Sequence, residues 1–255
     1  MGHPMTSSPV TALKFHDLTL GYDRHPAVHH LDGSVEQGSL TAVVGPNGAG
    51  KSTLFKAVVG MLKPLAGSIE RSGSSARDIA YLPQVAEIDR SFPINVYDMV
   101  AMGLWRRKGP FGGIDRNDHL AIEAGLAAVG LTGFEERAIG TLSGGQMQRM
   151  LFARLLVQDS RVIVLDEPFS AIDGKTVADL MHLVRQWHWE RRTVLAATHD
   201  IELVRAYFPQ VLLLAREPVA WGATREVLTA ENLERARHMC EAFDEAAEAC
   251  ASEAA

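Results

Sequence analysis

Hydrophobic residues in this chain occur in two patterns, short continuous runs and longer stretches with helical spacing. Strands that are apolar throughout are typical of a parallel sheet covered by helices on both faces. Helical patterns over about 51–61 and 175–190 follow the continuous runs that end at residues 44 and 168. The pattern therefore predicts an α/β fold built on a parallel sheet. The continuous runs are SLTAVV (39–44), RVIVLDEP (161–168), TVLAAT (193–198) and VLLLA (211–215).

Other parts of the chain depart from this parallel-sheet pattern. The segment LKFHDLTL (13–20) alternates between polar and apolar residues and predicts a strand, and short strands are predicted at 67–70 and 78–82. From about 85 to 157 the pattern is mostly helical, which predicts a helical insertion into the sheet. The Ala/Glu-rich stretch from Ala230 predicts a helix that leads into a solvated acidic tail.

Composition narrows the class of protein. A chain of 255 residues with 47% hydrophobic residues can bury one large α/β core. The net charge of −6 argues against a general nucleic-acid binder, so we expect no nucleic-acid partner. The amino-terminal residues lack a signal-peptide pattern, and no apolar run approaches the ~18 residues of a membrane span. Two cysteines are too few for a disulfide framework, which indicates a reducing compartment.

The segment GPNGAGKS (45–52) carries the clearest chemistry. It matches G-x-x-x-x-G-K-[ST] and lies between a predicted strand and a predicted helix, as a phosphate-binding loop must. Its glycines let backbone N–H groups surround phosphate oxygens, Lys51 reaches the β- and γ-phosphates, and Ser52 coordinates Mg²⁺. The nucleotide-binding residues expected here are Gly45, Pro46, Asn47, Gly48, Ala49, Gly50, Lys51, Ser52 and Thr53.

A second motif, RVIVLDE, ends an apolar strand with two carboxylates. Adjacent residues of a strand point to opposite sides, so one carboxylate can face a metal while the other faces water. We expect Asp166 to hold Mg²⁺ and Glu167 to polarise the attacking water. Together with the phosphate loop, this motif predicts hydrolysis of a nucleoside triphosphate.

The segment LSGGQMQR (142–149) begins a helix with two adjacent glycines. Ser143 and Gln146 form a capping-box pattern, which predicts a helix start. Glycine costs roughly 1 kcal/mol relative to alanine within a helix, so Gly144 and Gly145 are poor choices for building one. Because glycine has no side chain, the first turn of the helix is open, and an anion can approach its exposed N–H groups.

The order of these motifs resembles that of ATP-binding cassette (ABC) ATPases, over about residues 13–230. The resemblance implies a P-loop NTPase fold with a RecA-like core sheet, an N-terminal antiparallel β subdomain and an inserted α-helical subdomain. We therefore delimit an ATPase domain at 10–235, with the helical subdomain at about 85–157, and a C-terminal tail at 236–255. Further positions that match family motifs are Tyr22, Gln84 in YLPQ, Ser170 to Asp173 and His199 in ATHD.

The resemblance also implies how these residues act. Two copies would enclose two ATP molecules head to tail, and LSGGQ of one copy would close over the γ-phosphate held by the other. Tyr22 would stack on adenine, Gln84 would contact Mg²⁺ and water, and His199 would contact the γ-phosphate. Asp173 would link the two sites. The residues that complete the partner's site would be Ser143, Gly144, Gly145 and Gln146.

The stretch FPINVYDMVAMG (92–103) resembles cassettes of zinc and manganese importers. This implies membrane permease subunits that dock beside Gln84, a substrate-binding protein, and a location at the cytoplasmic face of the membrane. Zinc is the first expected cargo and manganese the second. A cassette of an iron-chelate or cobalamin importer, an exporter cassette and a non-transport ABC ATPase remain as alternatives.

Two groups of possible metal ligands favour a structural interpretation. We expect His25, His29 and His30 to lie in a surface turn between strands rather than to bind metal. Cys240 and Cys250 are ten residues apart and do not share a helix face, which disfavours a metal site with His238. In WHW (187–189), at least one tryptophan is expected to pack.

Overall fold

The computed structural model describes residues 10–22, 25–73, 75–109 and 112–245. The strands are β1 (Thr11–Tyr22), β2 (His25–Glu36), β3 (Leu40–Val44), β4 (Ala66–Arg71), β5 (Ile79–Leu82), β6 (Val162–Asp166), β7 (Thr193–Ala197), β8 (Gln210–Ala215) and β9 (Glu217–Ala223). The helices are α1 (Lys51–Val58), α2 (Val96–Ala101), α3 (Trp105–Lys108), α4 (Arg116–Ala128), α5 (Gly144–Gln158), α6 (Gly174–Trp189), α7 (Ile201–Tyr207), α8 (Thr224–Val227) and α9 (Ala230–Glu245).

The larger sheet has six strands in the order β5-β6-β7-β3-β8-β9. Its first five strands are parallel, and β9 pairs antiparallel with β8 at one edge. Every residue of β3, β6 and β7 is buried, because helices cover one face of the sheet and α1 together with the smaller sheet covers the other. The predicted α/β class and the parallel sheet are confirmed.

The smaller sheet is antiparallel, in the order β2-β1-β4, and contains a strand that the sequence pattern did not predict. His25, His29 and His30 lie in β2, so the expectation of a surface turn was wrong. The register between β1 and β2 shifts at several points, and His30 has a φ of +45°. Such irregularities interrupt the alternation of polar and apolar residues by which a strand is predicted.

The segment between β5 and β6 is helical, as predicted, and contains α2 to α5. Asp115 caps α4 by accepting hydrogen bonds from the backbone N–H groups of Asn117 and Asp118. Arg107 and Lys108 form ion pairs with Asp118, so the end of α3 is tied to the start of α4. The domain limits at 10–235, about 85–157 and 236–255 stay predictions. None of the helices within the described ranges is long and apolar enough to cross a bilayer.

Helices α5 and α6 pack against each other through aromatic rings. Phe152 and Trp187 stack with their ring centroids 5.6 Å apart and their planes 9° from parallel. Trp187 is 1% exposed, whereas Trp189 is 64% exposed and lies beneath the guanidinium of Arg185. The expectation that at least one tryptophan of this segment packs is confirmed.

Replacement of Trp187 by alanine is expected to destabilise the protein by about 3–5 kcal/mol, because it leaves a cavity between α5 and α6. Trp189→Ala is the matched control and should cost less than about 1 kcal/mol, since it removes one exposed cation–π contact. Urea unfolding of the two variants measures both values. Equal losses of stability would contradict this account of the helix packing.

Candidate nucleotide site

The predicted motifs meet at one edge of the larger sheet. Carboxyl ends of parallel strands share an edge, and ligands of open α/β sheets bind there. The loop after β3 holds GPNGAGKS, and β6 ends with Asp166, which Glu167 follows. His199 lies two residues beyond β7 and is exposed, and Gln84 lies two residues beyond β5. Four segments that are far apart in sequence thus lie at the same edge of the larger sheet.

Glycines shape the phosphate loop because other residues would not fit. Gly48 has a φ of +79°, and Gly50, which precedes α1, has a φ of +93°. A Cβ atom at Gly50 would lie 2.5 Å from the carbonyl oxygen of Ala27 on β2. A Cβ atom at Gly45 would lie 1.9 Å from the carbonyl oxygen of Leu214 on β8. Strands of both sheets therefore pack directly against the backbone of this loop.

Gly48→Ala and Gly50→Ala are expected to differ in stability although both residues have a positive φ. At Gly48 no atom lies within 4 Å of the added Cβ, so only the backbone strain of about 1–2 kcal/mol applies. At Gly50 the same strain is joined by a collision with Ala27. Thermal unfolding should show the larger decrease in Tm for Gly50→Ala, and equal decreases would contradict the tight packing at this position.

Lys51 occupies the interior of the loop. Its ammonium donates hydrogen bonds to the carbonyl oxygens of Gly45, at 2.8 Å, and Pro46, at 2.9 Å. Burial lowers the pKa of Lys51, while the nearby carboxylates of Glu167 and Asp166 act in the opposite direction. The loop thus holds a buried cation beside backbone N–H groups, which is an environment suited to phosphate oxygens.

Asp166 is the centre of a hydrogen-bonded group at the end of β6. Its side chain is fully buried and accepts hydrogen bonds from Ser52 Oγ, at 3.1 Å, and from the hydroxyl of Tyr81, at 3.3 Å. The amide of Gln84 donates to Ser52 Oγ at 3.2 Å. Burial is the main reason why the pKa of Asp166 is raised, since removal from water disfavours the charged form of a carboxyl group.

Glu167 follows Asp166 with a different backbone conformation and different partners. Its φ of +49° is unusual for a residue other than glycine, and its N–H donates to Ala197 O at 3.1 Å. Its side-chain Oε2 accepts a hydrogen bond from Ser170 Oγ at 3.1 Å. The two carboxylates are therefore separated, with one bound to the phosphate loop and the other to the segment before α6. Such strained residues are common at functional sites.

The LSGGQMQR segment begins α5 through the predicted capping box. Ser143 Oγ accepts from the Gln146 N–H at 3.3 Å, and Gln146 Oε1 accepts from the Ser143 N–H at 3.0 Å. Ser143 and Gly144 are exposed. Added Cβ atoms at Gly144 and Gly145 would meet their nearest neighbours at 3.7 and 3.5 Å, which are ordinary contacts. The fold of the chain does not require glycine at either position.

The start of α6 lies beside the start of α5. Asp173 caps α6 by accepting hydrogen bonds from the backbone N–H and the hydroxyl of Thr176, at 2.9 and 2.7 Å. These hydrogen bonds lower the pKa of Asp173. Arg149 of α5 donates to Asp179 at 2.7 Å and to Thr176 at 3.3 Å. The two helix starts are therefore held together as a unit.

Sequence analysis missed three contributors to the site, namely Tyr81, Ser170 in its contact with Glu167, and Arg149 as a bridge between helices. Each acts through a contact between segments distant in sequence or through a local turn, so residue type alone gives no signal. The register that pairs Leu82 with Leu165 across β5 and β6 brings Tyr81 to Asp166.

The other predicted residues are placed as follows. Tyr22 ends β1 and is exposed, and Thr53 is buried in α1. Cys240 is buried on α9, whereas His238 is exposed and lies 3.9 Å from Glu234. Cys250 lies outside the described residues. The roles assigned to the nucleotide-site residues and the disfavoured metal site on α9 both stay predictions.

Comparison with known proteins identifies the family of the chain. Residues 28–170, more than half of the chain, match the family model described as ABC transporter. The chain is 39% identical to the manganese transport system ATP-binding protein MntA of Synechocystis, with 82% of each protein covered. It is 36% identical to the zinc transport system ATP-binding protein TroB of Treponema pallidum, with 90% of this chain and 88% of that protein covered.

Solved structures of ABC transporters have the same fold as this chain. A metal-chelate type ABC transporter in an inward-facing conformation superposes with a TM-score of 0.79, at 31% identity, with 89% of each chain covered. An ATP-binding cassette of an ABC transporter in its ADP conformation superposes with a TM-score of 0.76, at 20% identity, over 90% of this chain and 99% of that one. The chain therefore belongs to the ABC transporter family of nucleotide-binding ATPase subunits.

Proposed function

We propose that this chain hydrolyses ATP to drive the uptake of a divalent transition metal, zinc or manganese, through a separate membrane permease. The observation that carries the proposal is its 35–39% identity to proteins named for manganese and zinc transport, over more than four fifths of the chain. The FPINVYDMVAMG stretch points to the same group. These names do not separate the two metals.

Mg²⁺ fits the group around Asp166. The hydroxyl of Ser52, the carboxylate of Asp166 and the side-chain carbonyl of Gln84 are hard oxygen ligands of the kind that Mg²⁺ prefers. The burial of Asp166 and its contact with Ser52 support this assignment, because a bound cation would compensate the buried carboxylate. Bound Mg²⁺ would neutralise charge on the β- and γ-phosphates.

The remaining residues position the triphosphate and the water. When the triphosphate binds, the Lys51 ammonium exchanges its hydrogen bonds to the carbonyls of Gly45 and Pro46 for contacts with phosphate oxygens. The backbone N–H groups of the loop bind the same phosphates. Glu167 accepts a proton from the attacking water, and His199, from the neighbouring strand end, donates to the γ-phosphate. Catalysis of this kind depends on positioning and charge stabilisation rather than on a covalent intermediate.

A second copy of the chain completes each site in this proposal. The exposed residues Ser143 and Gly144 offer N–H groups at the start of α5, where a helix favours an anion. Since the fold does not need Gly144 and Gly145, their small size serves a close approach from outside the chain. The approaching group is the γ-phosphate of ATP held by the partner copy.

The permease docks in a groove of about 330 Å³ between the residues after α1 and the helical segment, and the groove wall includes Tyr81, three residues before Gln84. Met61 and Trp105 line the groove and are 68% and 53% exposed, which is unusual for large apolar side chains of a soluble surface. An amphipathic helix of a membrane subunit would cover them. The chain would then lie at the cytoplasmic face of the membrane, in a system that also has a substrate-binding protein.

Cellular metal content under metal limitation tests the proposal. Deletion of the chain is expected to lower zinc or manganese selectively, and wild type but not Lys51→Ala should restore it. A fall in iron or cobalt alone would instead support a chelate importer, which the 31% identity to a metal-chelate type transporter favours as the second candidate. Unchanged metal content would contradict both. Mass spectrometry of washed cells gives the measurement.

A further inference from the structure

A cavity of about 530 Å³ opens at the edge of the larger sheet opposite the nucleotide site. Val162 and Thr193, the first residues of β6 and β7, line it, so it lies about 16 Å from the nucleotide edge by the length of a five-residue strand. Ala12 of β1 and Ser72, which follows β4, line the other side. The cavity therefore lies where residues of the smaller sheet meet this edge of the larger sheet.

Three arginines line this cavity, and among the described residues Arg192 alone of the three has ion-pair partners. Arg192 forms ion pairs with Asp159, at 2.7 Å, and Glu190, at 2.9 Å, and donates to the carbonyl of Ser160. It thereby compensates the negative ends of both α5 and α6. Arg161 and Arg191 also line the cavity, and in the described part of the chain neither forms an ion pair.

The backbone beside these arginines is unusual. Arg191 has a φ of +61°, a conformation for which glycine is the default after a helix. An arginine in this conformation has a strained backbone, and such residues are enriched at functional sites. The buried hydroxyl of Ser160 has no hydrogen-bond partner within the described ranges. The cavity is thus lined by the exposed Arg161 and Arg191, by Arg192 with its ion-pair partners Asp159 and Glu190, and by the unused hydroxyl of Ser160.

The two helices that end at this cavity begin beside each other, at the residues that we expect to complete the partner's ATP site. Helix α5 (Gly144–Gln158) lies between its caps Ser143 and Asp159, and α6 (Gly174–Trp189) lies between its caps Asp173 and Glu190. Each is a rod of about 22–24 Å at 1.5 Å per residue. The Phe152–Trp187 stack joins the middle of α5 to the last turn of α6. A ligand that bridges their far ends is therefore mechanically connected to the residues that complete the partner's ATP site.

We propose that the cavity binds a small oxyanion with two or more negative charges, through Arg161 and Arg191. Its occupancy changes the relative position of α5 and α6, and this change reaches Gly144 and Gly174 at their starts. Two guanidinium groups select a multivalent anion over chloride, because each can form paired hydrogen bonds with a carboxylate or phosphate. The regulatory meaning of the site rests on the proposed ATPase function, but the binding itself does not.

Titration of the ¹⁵N-labelled chain without nucleotide tests the proposal, with citrate and inorganic phosphate as probes and sodium chloride at equal ionic strength as reference. Saturable amide shifts are expected at Gly38, Gly73 and Val162, with a Kd on the order of 1 mM. Smaller shifts with the same midpoint are expected at Gly144 and Gly174. The probe with the lower Kd identifies the preferred oxyanion group.

Arg161→Gln/Arg191→Gln should weaken the binding at least tenfold. Arg116→Gln/Arg225→Gln, which removes two exposed arginines elsewhere, should leave it unchanged. Equal shifts with sodium chloride, equal weakening in both double variants, or phosphate shifts confined to residues 45–52 would overturn the site. Shifts confined to the cavity would overturn the connection to the helix starts. Because the titration contains no nucleotide, a failure of ATP hydrolysis or metal uptake would not affect it.

Discussion

Glu167→Gln is expected to lower the ATP turnover number by roughly 10²- to 10⁴-fold, while ATP binding stays close to that of the wild type. Glutamine has nearly the same shape as glutamate, but it cannot accept a proton from the attacking water. Phosphate binding depends on the loop at 45–52 and on Lys51, which the substitution does not touch. Steady-state ATPase rates and the binding of a fluorescent ATP analogue separate the two effects.

The fold should tolerate this substitution. Ser170 Oγ donates to Oε2 of Glu167 and can donate equally to the carbonyl oxygen of a glutamine side chain. The backbone N–H of residue 167 keeps its bond to Ala197 O. Because hydrolysis is blocked after ATP is bound, the variant should also accumulate as an ATP-bound dimer, detectable by size-exclusion chromatography.

Glu87→Gln serves as the matched control for Glu167→Gln. Glu87 is another acidic residue near the site, but its carboxylate forms a partly exposed ion pair with Lys56 at 2.7 Å. Such pairs contribute about 0–1 kcal/mol, so turnover should remain within about twofold of the wild type. Turnover of Glu167→Gln at the level of this control would show that another group accepts the proton.

The chemistry of the site was predictable where it depends on consecutive residues. The phosphate loop and the Asp166–Glu167 pair are continuous in sequence, and each follows an apolar strand that leads to the same sheet edge. The capping box of Ser143 and Gln146 is equally local. In these cases the spacing that defines the motif also fixes the geometry.

The unpredicted features depend on contacts across the fold. Strand β2 contains Pro26 and Gly33 and pairs with β1 through register shifts, so its sequence lacks regular alternation. Tyr81 reaches Asp166 only because β5 pairs with β6 in one register. Arg149 joins α5 to α6 across 30 residues of sequence. Neither residue type nor local spacing contains this information.

A mixture of two inactive variants, Lys51→Ala and Gly144→Glu, is expected to recover ATPase activity. Lys51→Ala removes the ammonium of the phosphate loop but leaves the α5 start intact. Gly144→Glu keeps the loop but places a carboxylate where the partner's γ-phosphate would approach, and like charges repel there. A mixed dimer therefore contains one site in which both halves are intact.

Gly144→Glu tests the head-to-tail dimer without disturbing the fold of the single chain. A Cβ atom at Gly144 would have its nearest neighbour, Ala171 O, at 3.7 Å, and an acidic residue in the first turn favours a helix. The fold should therefore be unchanged, whereas the ATPase activity of this variant, measured without the second variant, should fall to a few per cent of the wild-type activity or less. That activity is measured under conditions in which the wild-type chain hydrolyses ATP.

Random pairing of equal amounts should yield about a quarter of the wild-type rate per chain, because half of the dimers have one intact site. Gly113→Glu is the matched control, since it adds the same carboxylate at a position with no atom within 4 Å and should retain full activity alone. A mixture no more active than the sum of its two components would mean that each chain completes its own site. In that case the two glycines would have to act within their own chain, although the described contacts of Gly144 and Gly145 are with Ala171, Asp173 and Thr176 rather than with the phosphate loop.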